Sequence, residues 1–247
     1  MQRYFVKPEQ MTDSTVTLAG DDVKHAAKVM RMKTGDKIVC LNNKGRQALC
    51  RIDEIGSSFI HAAIVKEWDD NPELPVRTVI GQALVKGDKM DFVIQKGTEF
   101  GVSAFHLFEA DRSVVKWGRE KSLKKIERLR KIAKEAAEQS ERLFIPEIHW
   151  FASVEELIQG SAMETTIVLH EEKARSKQHG DLASLLQAEP SALLAVIGPE
   201  GGISEREIDF LARENVMPVS LGPRILRSES ASVYLLAVLS YYYELSR

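Results

Sequence analysis

Shortages of cysteine and of long hydrophobic runs exclude several classes of protein. The 247 residues include only two cysteines, Cys40 and Cys50, too few for a disulfide scaffold or a zinc finger, so we interpret them as core thiols on neighbouring strands. The longest apolar run, residues 231–239, is interrupted by Ser232 and is shorter than the roughly 20 residues of a membrane-spanning helix. The first residues also lack the apolar region of a secretory signal, so we expect a cytoplasmic protein.

The standard motifs for nucleotide binding are missing as well. A dinucleotide fingerprint requires Gly-x-Gly-x-x-Gly after the first strand, and the glycine-rich residues 198–202 do not match it. A phosphate-binding P-loop requires Gly-Lys-Ser/Thr, whereas Lys96, Gly97 and Thr98 have the first two residues in reverse order. Neither of the two common nucleotide-binding loops is therefore present.

Neither sign of charge dominates the composition, yet one stretch is strongly basic. The chain has 34 Lys and Arg against 36 Asp and Glu, and 44% of its residues are hydrophobic, as in a soluble globular protein. Residues 112–134 contain ten Lys or Arg and two acidic residues, a local net charge of +8. A basic helix is often only a solvated surface, but together with a second basic surface near the N-terminus it favours nucleic acid as the partner.

The first seventy residues read mainly as short strands. One amphipathic helix, residues 21–32, interrupts them. We therefore predict a small β-barrel with one helix over residues 1–70. The cationic side chains of the helix, Lys24, Lys28 and Arg31, belong either to a solvated face or to a phosphate-binding surface. The predicted strands are β-branched or alternating and lie between turn residues, at positions 4–6, 15–18, 37–41, 48–52 and 59–65.

A linker, residues 67–75, separates this barrel from a second domain of a different kind. The linker contains Pro72, Pro75 and a run of acidic residues without an apolar period. Over residues 76–247 predicted strands and helices alternate, which indicates an α/β domain with a mostly parallel sheet. The predicted strands are residues 78–84, 104–108, 166–170, 193–197 and 216–221, and the predicted helices are residues 88–100, 120–142, 181–187, 204–214 and 228–245.

Two glycine-containing loops near the C-terminus, residues 197–202 and 221–230, dominate the second domain. Each follows an apolar strand and precedes a predicted helix. Loops of this kind at the ends of adjacent parallel strands form a ligand crevice. Aliphatic residues at the strand ends, beside backbone groups that glycine makes accessible, suit a flat heterocycle such as adenine. The alternative is that both loops are plain strand-to-helix turns.

The same loops also carry a resemblance to a known family. Their residues, Gly198-Pro199-Glu200-Gly201-Gly202 and Leu221-Gly222-Pro223-Arg224-Ile225-Leu226-Arg227-Ser228-Glu229-Ser230, resemble those of the RsmE family of small-subunit ribosomal RNA uridine N3-methyltransferases. The resemblance covers essentially the whole chain. It extends to Lys86-Gly87-Asp88-Lys89-Met90, Gln95-Lys96-Gly97-Thr98-Glu99-Phe100-Gly101, Arg112-Ser113-Val114-Val115, Glu138-Gln139-Ser140 and, after His25, Val29-Met30-Arg31-Met32. Ser230 departs from the expected threonine but keeps its hydroxyl group.

The resemblance implies a fold, a cofactor and a partner. The fold is α/β, a small PUA-like β-barrel followed by a SPOUT domain with a C-terminal trefoil knot that binds S-adenosylmethionine. The implied activity is S-adenosylmethionine-dependent methylation of N3 of a specific uridine in 16S ribosomal RNA, within the small ribosomal subunit. The implied enzyme is a homodimer that needs neither a metal nor a membrane. Apolar residues on nearly all sides of the predicted final helix, residues 228–245, independently favour a dimer.

The implied roles fall on particular residues. The adenosine pocket is expected to be formed by Leu169, His170, Ile197, Gly198, Pro199, Glu200, Gly201, Leu221, Gly222, Pro223 and Leu226. Because N3 must lose a proton, a base or a cation is needed beside the uracil, and Arg227 and Glu229 are the candidates. Glu229 also fits a purely structural role as a charge at a helix N-terminus. The RNA is expected to contact Lys24, Lys28, Arg31, Lys86, Lys89, Lys96, Arg112, Arg142 and Arg224.

Two other functions remain open at this point. One is that of another SPOUT RNA methyltransferase, acting on a base or a ribose hydroxyl of transfer RNA. The other is that of a non-catalytic RNA-binding module with a degenerate cofactor loop. The intact glycines at positions 198, 201, 202 and 222 argue against degeneration. For an N3 methyltransferase the uridine must be unpaired or flipped out, because N3 lies on the Watson–Crick edge.

Overall fold

A computed structural model describes residues 1–161, 163–175 and 180–246. The chain divides into two compact units. The first unit contains residues 1–73 and 137–145, and the second contains residues 74–136 and 146–247. The chain therefore passes from one unit to the other within the predicted linker and then returns briefly to the first unit. No feature of the sequence predicted that return.

The first unit is built on a five-stranded sheet. Its strands are β1 (Arg3–Phe5), β2 (Thr15–Ala19), β3 (Lys37–Leu41), β4 (Gln47–Ile55) and β5 (Phe59–Trp68), in the spatial order β1-β3-β4-β5-β2. β1 pairs with β3 in parallel, and the other neighbours are antiparallel. Alternate side chains point to opposite faces of a strand, so Ile38, Cys40 and Cys50 are fully buried on one face. Both cysteines are free core thiols, as predicted.

The helix predicted over residues 21–32 is shorter and less regular than expected. α1 covers only Asp21–Lys24, and the chain continues as a π-helical turn, His25–Val29. The N–H of Met30 bonds to the carbonyl of His25 (2.9 Å), five residues back, as in a π-turn. Arg31 adopts a φ of 54°, in the left-handed region, and a right-handed helix cannot continue through it.

The returning segment, residues 137–145, packs on the sheet of the first unit. Ala137 and Leu143 join Phe5 and Leu41 in a buried cluster. Arg142 is 3% exposed, and its guanidinium group pairs with Glu73. This corrects the prediction that Arg142 contacts RNA, because its guanidinium group is enclosed and already bound to a carboxylate.

The second unit is built on a six-stranded sheet, in the spatial order β11-β9-β10-β6-β7-β8, and every pair of neighbouring strands is parallel. The strands are β6 (Arg77–Ala83), β7 (Ala104–Phe108), β8 (Glu147–Phe151), β9 (Thr165–Leu169), β10 (Ala192–Ile197) and β11 (Met217–Val219). The helices are α2 (Lys89–Glu99), α3 (Gly118–Gln139), α4 (Val154–Gly160), α5 (Glu171–Arg175), α6 (Asp181–Gln187), α7 (Glu205–Arg213) and α8 (Ser228–Ser240), which continues as a π-helical turn, Tyr241–Leu245. The alternating strands and helices confirm the predicted α/β class.

Three elements of the second unit were not predicted, namely β8, α4 and α5. β8 reads Glu-Ile-His-Trp-Phe, with a single β-branched residue, and it lies at the edge of the sheet. Ile148, Trp150 and Phe151 are of types enriched in strands, and pairing with β7 fixes the strand conformation. None of the described helices is long and apolar enough to cross a membrane.

The strands β9, β10 and β11 end at the same level of the sheet. Leu169, the last residue of β9, lies opposite both Ile197, the last of β10, and Val219, the last of β11. In a parallel sheet the loops after such strands leave from one edge, where ligands of open α/β sheets bind. The two glycine loops singled out in the sequence therefore begin side by side.

Candidate active site

A cavity of about 440 Å³ lies at this edge of the sheet. Its walls come from the loops that follow β9, β10 and β11 and from the start of α8. Nine of the eleven residues predicted for the adenosine pocket line it, namely Leu169, His170, Ile197, Gly198, Pro199, Glu200, Gly201, Leu221 and Leu226. The other two, Gly222 and Pro223, lie in the same turn. Gly222 has a φ of 109°, a conformation that L-residues rarely adopt, and this explains why a glycine occupies the position.

The sequence reasoning missed several lining residues and assigned others to different roles. Glu171, Gly202, Ile203, Val219, Ile225, Ser228 and Ala231 line the cavity without having been predicted. Lys89, Arg224 and Arg227 line it too, although the sequence assigned them to RNA or to catalysis. For Gly202 and Ser228 the signal was available, because both lie inside the quoted motifs. Glu171 and Ala231 are brought there by the fold alone.

The loop after β10 is held in a tight turn. The N–H of Gly202 bonds to the carbonyl of Pro199 (2.9 Å), and Gly202 has a φ of 74°. A Cβ atom at Gly198 would lie 3.0 Å from the Ile203 side chain, so any larger residue there would force Ile203 to shift. The guanidinium group of Arg112 donates to the carbonyls of Gly201 (3.3 Å) and Ile203 (3.4 Å). Arg112 was predicted to contact RNA, and here it supports the loop.

A buried hydrogen-bond network fixes the start of α8 against the sheet. The side-chain amide of Gln82, at the end of β6, is fully buried and donates to the Ser228 hydroxyl (2.8 Å). Ser228 donates in turn to the carbonyl of Gly198 (2.5 Å). The Ser232 hydroxyl donates to Oε1 of the Gln82 amide (2.6 Å). Both glycine loops and α8 are thereby tied to one side chain.

The two predicted catalytic residues lie at the start of α8. Arg227 is the exposed residue just before the helix and lines the cavity. Glu229 lies in the first helical turn, with 13% of its side chain exposed. Its carboxylate at a helix N-terminus also interacts favourably with the helix dipole. The structure therefore places Arg227 at the cavity and Glu229 behind it, 3.5 Å from the lining residue Lys89, and Glu229 also fits the structural role of a charge at a helix N-terminus.

A lysine joins two carboxylates beside the cavity. The ammonium group of Lys89 lies 2.9 Å from a carboxylate oxygen of Glu200 and 3.5 Å from Oε2 of Glu229. The hydrogen bond to Glu200, with the charges of both carboxylates, raises the pKa of Lys89 above its ordinary value. Burial opposes ionisation of Glu200, but the hydrogen bonds from Lys89 and from backbone N–H groups outweigh it and lower the pKa of Glu200. The ammonium group of Lys89 and the carboxylate of Glu200 are therefore charged at neutral pH.

Comparison with known proteins identifies the family. Residues 72–240 match the RNA methyltransferase domain family, and residues 18–65 match the RNA methyltransferase PUA domain family. The ribosomal RNA small subunit methyltransferase E of Bacillus subtilis is 39% identical over 253 residues, covering 100% of this chain and 99% of that protein. The chain belongs to this family. The predicted membership and the predicted two-part α/β fold are confirmed, while the trefoil knot stays a prediction.

Two further members of the methyltransferase E family are similar over most of their length. The protein of that name from Mycobacterium bovis is 31% identical over 94% of this chain and 88% of its own length. The crystal structure of the family member from Neisseria gonorrhoeae, bound to S-adenosyl methionine, has a TM-score of 0.85 and 26% identity, and the match covers 98% of each chain.

The residues predicted to contact RNA differ in their surroundings. Lys24, Lys28 and Arg31 are exposed in the first unit. In the second unit Lys86 and Arg224 are exposed, whereas Lys96 is half-buried and pairs with Glu99 (2.8 Å). No group of three or more His, Cys, Asp or Glu side chains able to hold a metal ion occurs within residues 1–161, 163–175 and 180–246.

Proposed function

We propose that this protein transfers a methyl group from S-adenosylmethionine to N3 of a uridine in 16S ribosomal RNA. The observation that carries the proposal is the position of the cavity, where β9, β10 and β11 end at the same level of the sheet. The chain also belongs to a family of ribosomal RNA methyltransferases. Ligands of open parallel sheets bind at this edge, so the position of the cavity agrees with the family's chemistry.

The cavity residues fit the cofactor. A volume of about 440 Å³ lies in the range of small-molecule sites, and aliphatic walls with backbone polar groups suit adenosine. Leu169, Ile197 and Leu226 would pack on the adenine ring, and backbone groups of the 198–202 loop would bond its polar edge. When bound, S-adenosylmethionine supplies an electrophilic methyl group. In the family member from Neisseria gonorrhoeae, this ligand is present in the crystal structure.

Arg227 and Glu229 are our candidates for handling the N3 proton. The N3–H group of uracil is a much weaker acid than a carboxyl group, so its ionised form must be stabilised by a cation or its proton removed by a base. Arg227 offers a permanent positive charge at the cavity, and Glu229 offers a carboxylate. Neither residue needs a metal for this role.

The first unit and the basic stretch of the second would bind the RNA backbone. Lys24 and Lys28 are exposed on one short helical segment and Arg31 is exposed just beyond its end, while α3 carries most of the basic stretch. Cations on such surfaces neutralise phosphates without reading sequence, so the RNA affinity should fall with salt. We also propose that the substrate is the small ribosomal subunit and that the enzyme acts as a homodimer in the cytoplasm.

Two measurements test this function. Isothermal titration calorimetry with S-adenosylmethionine should show binding to the natural chain and a large loss for Gly198→Val, whose side chain would collide with Ile203. Absence of binding to the natural chain would favour the non-catalytic RNA-binding module. Transfer of a labelled methyl group to small ribosomal subunits should far exceed transfer to transfer RNA, and the reverse would favour another SPOUT enzyme.

The roles of Arg227 and Glu229 are tested under single-turnover conditions with saturating cofactor. Arg227→Ala and Glu229→Ala should each slow methylation by about 10²-fold, as expected for the loss of one charge-stabilising or proton-transferring group. An unchanged single-turnover rate in either variant would contradict the role assigned to that residue.

A further inference from the structure

The position of Lys89 is unfavourable for a residue whose only role is structural. Lys89 is the first residue of α2. The N-terminal end of a helix carries a partial positive charge, so a lysine there is repelled rather than attracted. Two carboxylates from distant parts of the chain, Glu200 and Glu229, compensate for this repulsion. The fold thus brings three charged groups together where helix electrostatics alone disfavour the cation.

The two carboxylates hold Lys89 unequally. Glu200 accepts a hydrogen bond from the ammonium group at 2.9 Å, and 32% of its side chain is exposed. Glu229 is more enclosed, and its Oε2 is buried and accepts no hydrogen bond from any described residue, although the ammonium nitrogen lies 3.5 Å away. A buried carboxylate oxygen without a hydrogen bond is costly. Accepting a proton would relieve this cost, once a movement of the Lys89 ammonium group opens access to the oxygen.

Lys89 has access to the ligand cavity as well as to the carboxylates. Its side chain is 33% exposed and lines the cavity. The other charged or titratable residues that line this cavity are His170, Glu171, Glu200, Arg224 and Arg227. Among the lining residues, Lys89 is the cation that lies within 4 Å of both Glu200 and the enclosed Glu229.

We infer that Lys89 is a further catalytic residue of the reaction proposed above, whose ammonium group turns from Glu229 to a carbonyl oxygen of the target uracil as the N3 proton leaves. The inference rests on the proposed function and adds a residue to it. In contact with Glu229, the ammonium group neutralises a carboxylate. In contact with the uracil oxygen, it neutralises the charge that develops on the pyrimidine, and Glu229 is left to accept the proton.

The N3–H bond breaks, its proton forms an O–H bond on Oε2 of Glu229, and the electron pair stays on the pyrimidine, shared between N3 and its neighbouring carbonyl oxygens. N3 then uses that pair to form the bond to the methyl carbon, and the pair of the broken carbon–sulfur bond stays on sulfur. Glu229 finally releases its proton to solvent. Glu200 holds the ammonium group near the site when no uracil is present.

The test compares Lys89→Met, Lys89→Arg and a control, Lys44→Met, in the full-length chain. Lys44 is an exposed lysine in a turn of the first unit. Single-turnover methylation of small ribosomal subunits is measured across the pH range in which the enzyme is stable. Cofactor affinity is measured by calorimetry, subunit affinity by filter binding, and folding by circular dichroism.

Loss of the cation should slow Lys89→Met by about 10²-fold or more, with cofactor and subunit affinities unchanged within about twofold. Its rate should rise about tenfold per pH unit, because the imide must then ionise without the Lys89 cation, whereas the natural chain should reach a plateau at lower pH. Lys89→Arg should recover part of the rate, and Lys44→Met should match the natural chain.

Several results would overturn the assignment. A Lys89→Met variant with the natural rate and pH profile would show that the ammonium group does not act on the uracil. A rate loss matched by weaker cofactor binding, or by weaker subunit binding, would make Lys89 a binding residue instead. Failure of the proposed function would appear separately, as a product of the natural chain other than N3-methyluridine, and that product would also refute the role of Lys89.

Discussion

At the residue scale, Gln82 connects the parts of the candidate site. Its amide group bonds the hydroxyls of Ser228 and Ser232, and Ser228 bonds the carbonyl of Gly198. Because Gln82, Ser228 and Ser232 are buried, removing the amide leaves the two serine hydroxyls without one of their hydrogen-bond partners. Gln82 thereby positions both the loop after β10 and the helix that carries Glu229, without touching the ligand cavity itself.

We predict that Gln82→Leu lowers the free energy of unfolding by about 2 kcal/mol, since buried polar groups lose their partners. Cofactor affinity should fall about tenfold, because the Ser228 and Gly198 walls of the cavity lose their support. Urea denaturation and calorimetry measure the two effects. Gln95→Leu, on the exposed side of α2, is the matched control. Equal stability of the two variants would contradict the role of Gln82.

His106 determines part of the pH dependence of stability. Desolvation by burial, followed by repulsion from His149 and Arg77, lowers its pKa from 6.5 to about 4. The unfolded chain therefore binds more protons than the folded chain between these two values, so stability falls as the pH falls from 6.5 towards 4. The half-buried ring is partly screened by solvent, which reduces the size of the effect.

We predict that, as the pH falls from 6.5 to 4, the His106→Phe variant loses about 1 kcal/mol less of its free energy of unfolding than the natural chain does. The measurement is urea denaturation at a series of pH values, compared with His61→Gln, which changes an exposed histidine of the first unit. A variant with the same slope of stability against pH as the natural chain would refute the assignment to His106.

At this scale the sequence predicted loop residues well and supporting residues poorly. Gly198, Leu221 and Leu226 lie within motifs, so local sequence identified them. Gln82 and Glu171 reach the site only through strand order and helix packing, which single-sequence patterns do not contain. Arg142 and Arg112 were assigned to RNA without knowledge of the groups that they contact in the fold. Their partners, Glu73 for Arg142 and two backbone carbonyls for Arg112, are distant in sequence.

At the element scale, the helix of the first unit illustrates a limit of hydrophobic periodicity. The apolar positions of residues 21–32 predicted a regular helix, and the burial of Val23 and Ala26 agrees with that face. Periodicity does not distinguish an α-helix from an α-helix that widens into a π-turn. The end of the segment is determined by the left-handed conformation of Arg31, which leaves that arginine exposed beside Lys28.

We predict that Lys28→Gln and Arg31→Gln each weaken RNA binding and reduce the slope of log affinity against log salt by about 0.7–0.9, the value for one lost phosphate contact. Filter binding at several salt concentrations measures both quantities. Lys44→Gln should leave the slope unchanged. A slope that does not change in either Lys28 or Arg31 variant would remove this segment from the RNA-binding surface.

The C-terminal helix is the element on which dimerisation depends in our proposal. One side of α8 is buried through Leu235, Leu236 and Leu239, whereas Tyr234 and Tyr241 are 40% and 63% exposed. The two tyrosines are seven residues apart, so they lie on one face of the helix, and together they form an apolar surface available to a partner.

We predict that Tyr234→Glu combined with Tyr241→Glu converts the dimer to a monomer, because charge is then placed in an apolar interface. Sedimentation equilibrium measures the mass, with Val65→Glu as the control at an exposed apolar residue of the first unit. A natural chain that sediments as a monomer would contradict the proposed dimer directly.

At the scale of the whole molecule, the chain combines an α/β unit that builds the cavity with a β-rich unit whose exposed cations suit RNA. The order of strands and helices, and hence the fold class, followed from sequence because the alternation is regular over the second unit. The passage of residues 137–145 into the first unit could not be predicted from sequence, because a helix that continues across two units has no break in its sequence pattern. The family resemblance predicted the methyl-transfer reaction. The ends of β9, β10 and β11, which lie at the same level of the sheet, indicate where the reaction takes place.

The central claim is tested most directly by identifying the modified nucleoside. Small ribosomal subunits lacking the modification are incubated with the purified protein and S-adenosylmethionine, and the 16S ribosomal RNA is digested to nucleosides for mass spectrometry against synthetic standards. The account predicts one N3-methyluridine per subunit, absent when Arg227→Ala replaces the natural chain. A ribose-methylated or other methylated nucleoside, or no product despite cofactor binding, would contradict it.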